Sequence, residues 1–213
     1  MSSTSKIHSR EEWAAANPVL LAGETAFEAH THNQKVGDGK TAWDRLPYYG
    51  SAGYWAEISD NQSQTAAEAN TPYAVAFRQA NLDLRGVRVI DTSQITVDYP
   101  GVYTFTFNIS LSNSDSQIHD VHFWLRKNNA GSSGDLAKTD ARFSIVESHG
   151  GEPGNALAAL HHTLVLAADD YIQLMWAATN TNISLRAGAA QTSPFTHPST
   201  PSAYANIVQI ASA

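Results

Sequence analysis

Val102-Tyr103-Thr104-Phe105-Thr106-Phe107-Asn108-Ile109-Ser110-Leu111 alternates without a break. Successive side chains of a strand point to opposite faces, so Tyr103, Phe105, Phe107, Ile109 and Leu111 share one face and Thr104, Thr106, Asn108 and Ser110 the other. Such a strand needs a packing layer on its apolar face and tolerates water on its polar one. Pro100-Gly101 supplies a turn in front of it, and Ile95-Thr96-Val97-Asp98-Tyr99 alternates before that turn. Downstream, Val121, Phe123 and Leu125 alternate with His122, Trp124 and Arg126. Residues 142–146, 160–166, 171–178, 183–185 and 205–210 read as further short strands between Gly, Asn, Asp and Pro turns. Many short strands at close spacing point to a mainly β chain folded as a sandwich. Pro194, Pro198 and Pro201 make 191–202 a non-helical excursion.

Two of these strands carry apolar residues on both faces. In 171–176, Ile172, Leu174 and Trp176 face one way and Tyr171 and Met175 the other, and Trp124 stands on the nominally polar face of its strand. A sandwich strand buries one face, so the surplus must be covered by a loop of the same chain or by a second subunit, and exposed aromatic surface marks an interface.

The chain has 213 residues, with 13 Lys and Arg against 20 Asp and Glu, a formal charge of −7. It therefore has no electrostatic footprint for nucleic acid or an anionic membrane surface. Only 15% of residues are charged while 42% are hydrophobic, which excludes disorder and suits a polar but uncharged surface. Cysteine is absent, so neither a disulfide framework nor a thiolate metal site can form. No run approaches the roughly 18 apolar residues that cross a bilayer. The Ser/Thr-rich start and the short apolar run 18–22 do not resemble a secretory signal, so a chain made and used without export is expected.

Nearer the N-terminus, Ser9 and Glu12 have capping-box spacing, Trp13 to Ala16 continue a helix, and Pro18 ends it. So short a helix must dock Trp13 on something. Residues 25–32 read as a strand, Gly37-Asp38-Gly39 as a tight turn, and Trp43, Leu46, Tyr48 and Tyr49 close the unit. The unit is expected to be too small for a core of its own and to rely on a neighbour or on copies of itself. Residues 50–69 shift to Ser, Ala, Gln, Asn and Asp. The expected organisation is a module at 1–50, a connector with a first edge strand at 51–70, and the sandwich at 71–213.

No catalytic constellation emerges. Gly39-Lys40-Thr41 lacks the preceding glycine of a phosphate loop, since position 34 is Gln34. Neither a G-x-S-x-G elbow nor an H-E-x-x-H helix occurs. His161 and His162 adjoin on a strand and face apart, as do His119 and His122. Asp169-Asp170 is a turn signal. His30 and His32 share a strand face, and three copies around an axis would gather six imidazoles about an octahedral metal; the alternative is a pair of surface histidines. No cofactor is expected. Asn61, Gln62, Gln64 and Asn70 offer amides suited to sugar hydroxyls.

Two resemblances cover nearly the whole chain. Ser9-Arg10-Glu11-Glu12-Trp13, Asn17-Pro18-Val19-Leu20-Leu21-Ala22-Gly23-Glu24, Lys35-Val36-Gly37-Asp38-Gly39-Lys40-Thr41-Ala42-Trp43 and Leu46-Pro47-Tyr48 resemble, in order and spacing, a module of tailed-bacteriophage fibre and virion appendage proteins. Where such modules often carry Asp-Thr-Gly, this chain has His30-Thr31-His32-Asn33. The stretches 64–73, 101–105, 124–128 and 170–176 are similar to phage C1q/TNF-like domains. That resemblance implies a jelly-roll sandwich that forms a homotrimer, with Tyr103, Phe105, Trp124, Tyr171, Met175 and Trp176 in the core or at the threefold interface. Together the two imply a non-enzymatic virion protein: a short trimeric tail fibre, head fibre, spike or decoration protein. Its N-terminal module would join other virion proteins of capsid, collar or tail. The alternatives are a receptor-binding adhesin that attaches to host surface glycan and, further off, a polysaccharide-degrading appendage, for which no paired carboxylates suggest themselves.

Overall fold

Strand β1 (Lys6–His8) leads into helix α1 (Arg10–Ala16), and Ser9 caps it in both directions. Its Oγ accepts the Glu12 N–H at 3.2 Å while the Glu12 carboxylate accepts the Ser9 N–H at 2.8 Å. Asn17 ends the helix in the left-handed region, its N–H donating to the Trp13 carbonyl. Strands β2 (Thr25–Glu28), β3 (Gln34–Val36) and β4 (Tyr48–Tyr49) complete a four-stranded sheet in the order β1-β2-β3-β4, with β1 parallel to β2. The computed structural model describes residues 6–29, 33–49, 53–80 and 84–211, and the chain divides into units 1–53 and 54–213.

The first unit has a core after all. Trp13 stacks on Trp43 at 4.3 Å between ring centroids, and Leu20, Ala26 and Leu46 are buried with them. This corrects the expectation that the unit needs a neighbour to provide one. The physical reason is that polar ties supplement the small apolar cluster. The Trp13 indole N–H donates to the Phe27 carbonyl at 2.8 Å. Lys35 is almost fully buried, its ammonium donating to the Trp43 carbonyl at 2.6 Å and lying over the Trp43 and Tyr48 rings at 4.7 and 4.4 Å. Burial pushes the Lys35 amine down to about 8, against the opposing pull of Glu28 and Asp44. At the turn, the Asp38 carboxylate accepts the Thr41 hydroxyl and the backbone N–H groups of Thr41 and Lys40, which lowers its pKa to about 2. Gly37 passes so close to the chain that a Cβ would lie 2.2 Å from the Leu21 carbonyl oxygen. His30 and His32, the candidate metal ligands, lie outside the described residues.

The second unit is built from thirteen strands: β5 (Trp55–Asp60), β6 (Gln64–Thr65), β7 (Tyr73–Ala74), β8 (Gln79–Ala80), β9 (Val87–Ile90), β10 (Gln94–Val97), β11 (Gly101–Asn113), β12 (His119–Lys127), β13 (Ala141–Ile145), β14 (Gly154–Leu166), β15 (Tyr171–Ala178), β16 (Ile183–Leu185) and β17 (Ala203–Ala211). One sheet runs β13-β12-β15-β10-β9, with β7 on β15; the other runs β6-β16-β11-β17-β5-β8, with β14 on β11. The long strands therefore order as β5-β17-β11-β14 and β10-β15-β12-β13. The unit's first and last strands, β5 and β17, pair, and the chain passes repeatedly from one layer to the other, which is jelly-roll topology.

β5 corrects the reading of 51–70 as a connector with an edge strand. It is hydrogen-bonded to β17 on one side and β8 on the other, and the division between units falls at Gly53 and Tyr54. Ala56, Ile58 and Asp60 are the inward residues, so a short side chain and a buried acid conceal the apolar period. Asp60 is fully enclosed, where Arg78 pairs with it and Gln64 Nε2 donates to it at 3.0 Å. The core between the layers holds Tyr103, Phe105, Phe107, Ile109 and Leu111 from β11, facing Phe123, Ile172, Leu174 and Trp176 of the other sheet's buried set. The Tyr103 hydroxyl donates to the Tyr99 carbonyl at 2.8 Å, and burial pushes its pKa upward.

Candidate functional site: an open sheet face

The sheet β5-β17-β11-β14 has a second face that points away from the core. The alternation of each strand decides its composition. β11 sends out Thr104, Thr106, Asn108 and Ser110; β17 sends out Tyr204, Asn206 and Val208; β5 sends out Trp55, Glu57 and Ser59. On β14, Asn155, Leu157, Ala159, His161, Thr163 and Val165 are exposed while the residues between them turn inward. Register lines these up in rows, Trp55-Val208-Thr104-Thr163, Glu57-Asn206-Thr106-His161 and Ser59-Tyr204-Asn108-Ala159.

This face carries little charge. Among its described residues Glu57 is the one carboxylate in the rows, and Arg85, bridged to Trp55, stands at the border. Its polar groups bond laterally: Thr106 Oγ1 lies 3.2 Å from His161 Nδ1, the Thr104 hydroxyl donates to the Val208 carbonyl at 3.3 Å, and Asn206 Nδ2 donates to the Tyr204 hydroxyl at 3.1 Å. Leu157 and Val165 stand 64% and 68% exposed, with Val208 and Ile210 also open to solvent. Large apolar side chains set among short uncharged ones make a surface that is inexpensive to dehydrate. Among the described strands β14 pairs with β11 alone, so its other edge adds backbone groups that no described strand pairs.

The aromatic candidates lie elsewhere. Tyr103, Phe105, Met175 and Trp176 are buried within one chain, and Tyr171 and Trp124 are half-buried. Of the two covers open to the aromatic surplus, the chain itself supplies one for these four, while Trp124 and Tyr171 stay part-exposed. The partial cover of Trp124 comes from the segment after β12. Leu136 donates its N–H to the Leu125 carbonyl, and Arg126 pairs with Asp135 at 2.6 Å, which draws the segment back along β12. The Trp124 indole N–H is buried beside the Asp135 carboxylate; with Arg126 as the larger influence, that neighbour lowers the Asp135 pKa, although the indole falls short of hydrogen-bond geometry.

Other polar candidates have structural partners. His119 lies 3.0 Å from Asp115, and His122 3.1 Å from Asp140. Asp169 pairs with Arg88, and Asp170 with Lys127. His161 and His162 do face apart; burial, then the charge of His161, holds the His162 pKa below its ordinary value. Gln64 spends its amide on Asp60 and on both backbone groups of Ala76, which removes it from any sugar site, and Asn70 occupies a left-handed turn. Among the described residues no three His, Asp or Glu side chains gather as a metal site. Sequence reasoning missed Leu157, Val165 and Val208 as surface residues. The alternation of 154–160 was the available signal, masked by its alanines.

No protein-family model matches the chain, and no curated protein matches it. Among solved structures it is similar to the Eiger TNF of S. frugiperda, with 16% identity and a TM-score of 0.47 over 76% of this chain and 96% of that one.

Proposed function

We propose that this chain is a non-enzymatic structural protein of a tailed-bacteriophage virion, a short homotrimeric fibre, spike or decoration protein. The N-terminal unit joins it to the particle and the jelly roll projects. The observation that carries the trimer is the open face of β5-β17-β11-β14, broad, almost uncharged and set with exposed Val165 and Val208 on the side away from the end that carries Leu157. Burying apolar area contributes about 25 cal/mol per Å², and closure around an axis satisfies such a face without leaving a copy of it open. The virion assignment is supported by the resemblance of 9–48 to the fibre module. The residues that carry that resemblance, Trp13, Lys35, Gly37, Asp38 and Trp43, are those that tie the first unit together.

Size-exclusion chromatography with light scattering on the full chain should return three times the mass of one chain. A monomer at micromolar concentration would defeat the trimer. Immuno-electron microscopy of particles should label the virion surface, and unlabelled particles would defeat the assignment to it. Receptor binding is a second reading, favoured by a groove at one end of the open face.

A further inference from the structure

Beside the outer ends of β11 and β14 lies a groove of about 340 Å³, lined by Ser110, Asn155, Leu157, Arg186, Gly188 and Thr200. This volume is at the lower end of small-molecule sites, roughly 300–1,000 Å³. Its one cation distinguishes it. Arg78, Arg88, Arg126 and Arg142 of the same unit each meet a carboxylate. Arg186 has no carboxylate partner among the described residues; its side chain makes one long contact, to Ser112 Oγ at 3.5 Å. An arginine left exposed and unpaired on a chain of net charge −7 is available to an anion from outside.

The surroundings narrow the ligand. The Ser110 hydroxyl donates to the Pro201 carbonyl at 3.1 Å and keeps its lone pairs for an incoming donor. Asn155 uses one amide hydrogen on the Pro153 carbonyl at 2.9 Å and retains its oxygen and second hydrogen. Leu157 gives an exposed apolar ledge. Gly188 and Thr200 form the base of a hairpin, closed again by Gln191 and His197, that carries Phe195 67% exposed with its ring 5.7 Å from that of His197. A fork of N–H donors, a hydroxyl, an amide and an apolar ledge together match a sugar ring that bears a carboxylate.

We propose that this groove binds a carboxylated saccharide, with the Arg186 guanidinium holding the carboxylate through paired hydrogen bonds and Ser110 and Asn155 holding ring hydroxyls. The proposal rests on the receptor-binding reading and names its ligand class. A trimer would present three such grooves, so a polymer of acidic sugar would gain by multivalency where a single sugar binds weakly.

The test titrates the full-length protein with glucuronate and N-acetylneuraminate, with glucose and N-acetylglucosamine as neutral counterparts and inorganic phosphate as a bare anion, followed by NMR or calorimetry. At least one acidic sugar should bind ten or more times tighter than the neutral sugars and than phosphate. Arg186→Gln should abolish that preference, while Lys138→Gln, which removes an exposed cation outside the groove, should keep it. Should Arg186→Gln fail to fold by circular dichroism, Leu157→Glu, which sets a carboxylate in the groove, should abolish binding in its place. Equal binding of glucuronate and glucose, phosphate binding as tight as the acidic sugars, absence of binding, or full binding by the groove variants would overturn the proposal. Light scattering on the same samples separates the outcomes: a trimer without sugar preference defeats the groove and spares the trimer, and a binding monomer does the reverse.

Discussion

Lys35 shows how a short unit can be held by chemistry as well as by area. Its ammonium sits between two aromatic rings and a carbonyl with almost no access to water. Burial lowers its folded pKa to about 8 from 10.5. Below about pH 8 folded and unfolded chains both hold the proton, and the cost of burying the charge is constant. Between about 8 and 10.5 the unfolded chain holds more protons, so stability rises with pH. The urea midpoint of the N-terminal unit, read by limited proteolysis within 6–49, should therefore climb across this window in the wild type more than in Lys35→Met. Parallel pH profiles would show that the amine is ordinary. The Lys35 role was not legible in the sequence, where it stood as one member of a motif. A buried lysine becomes visible only once the turn after it brings Trp43 and Tyr48 back over it.

At the scale of the element, β11 is the most legible part of the molecule. Its two faces follow from a period of two in 102–111, and the structure extends the strand to Gly101–Asn113. Phe105 is fully buried and Thr106, one residue on, is not. Phe105→Ala should cost about 3–5 kcal/mol in denaturant unfolding, the usual range for a large buried aromatic. Thr106→Ala should change the same measurement by less than about half a kcal/mol in the isolated subunit. Equal effects would mean the strand is turned over. The α1 cap was equally legible, since Ser9 and Glu12 act within three residues of each other. β5 was not, because its inward residues are Ala56, Ile58 and Asp60 and the acid is tolerated only through Arg78 and Gln64 from elsewhere in the fold. Likewise Trp124 was legible as an anomaly on a polar face, while its partial cover by the segment that carries Asp135 was not.

For the whole molecule, the proposed trimer needs a face on which to close. Burial of Trp176 and Met175 within one chain leaves the nearly uncharged face of β5-β17-β11-β14 as the candidate for it. Thr106 stands in its middle row, between Asn206 and His161. Thr106→Lys puts a charge where each subunit would be dehydrated. It should reduce the light-scattering mass to that of one chain while the circular dichroism spectrum is retained, since burying an unpaired charge costs far more than exposing it. A trimer that survives the substitution would move the interface to another surface. By itself the amino-acid order determined what depends on near neighbours: the alternation of 102–111, the capped helix, the turn at Gly37-Asp38-Gly39, and a β-rich chain of low charge. The tertiary structure decided what depends on residues far apart in the chain. Pairing of β11 with both β14 and β17 leaves one face open, and pairing of β14 and β16 with β11 gathers Ser110, Leu157 and Arg186 around one groove. Strand periodicity tells a side chain which of two sides it takes, but only the long-range pairing of strands tells which side meets protein and which meets water.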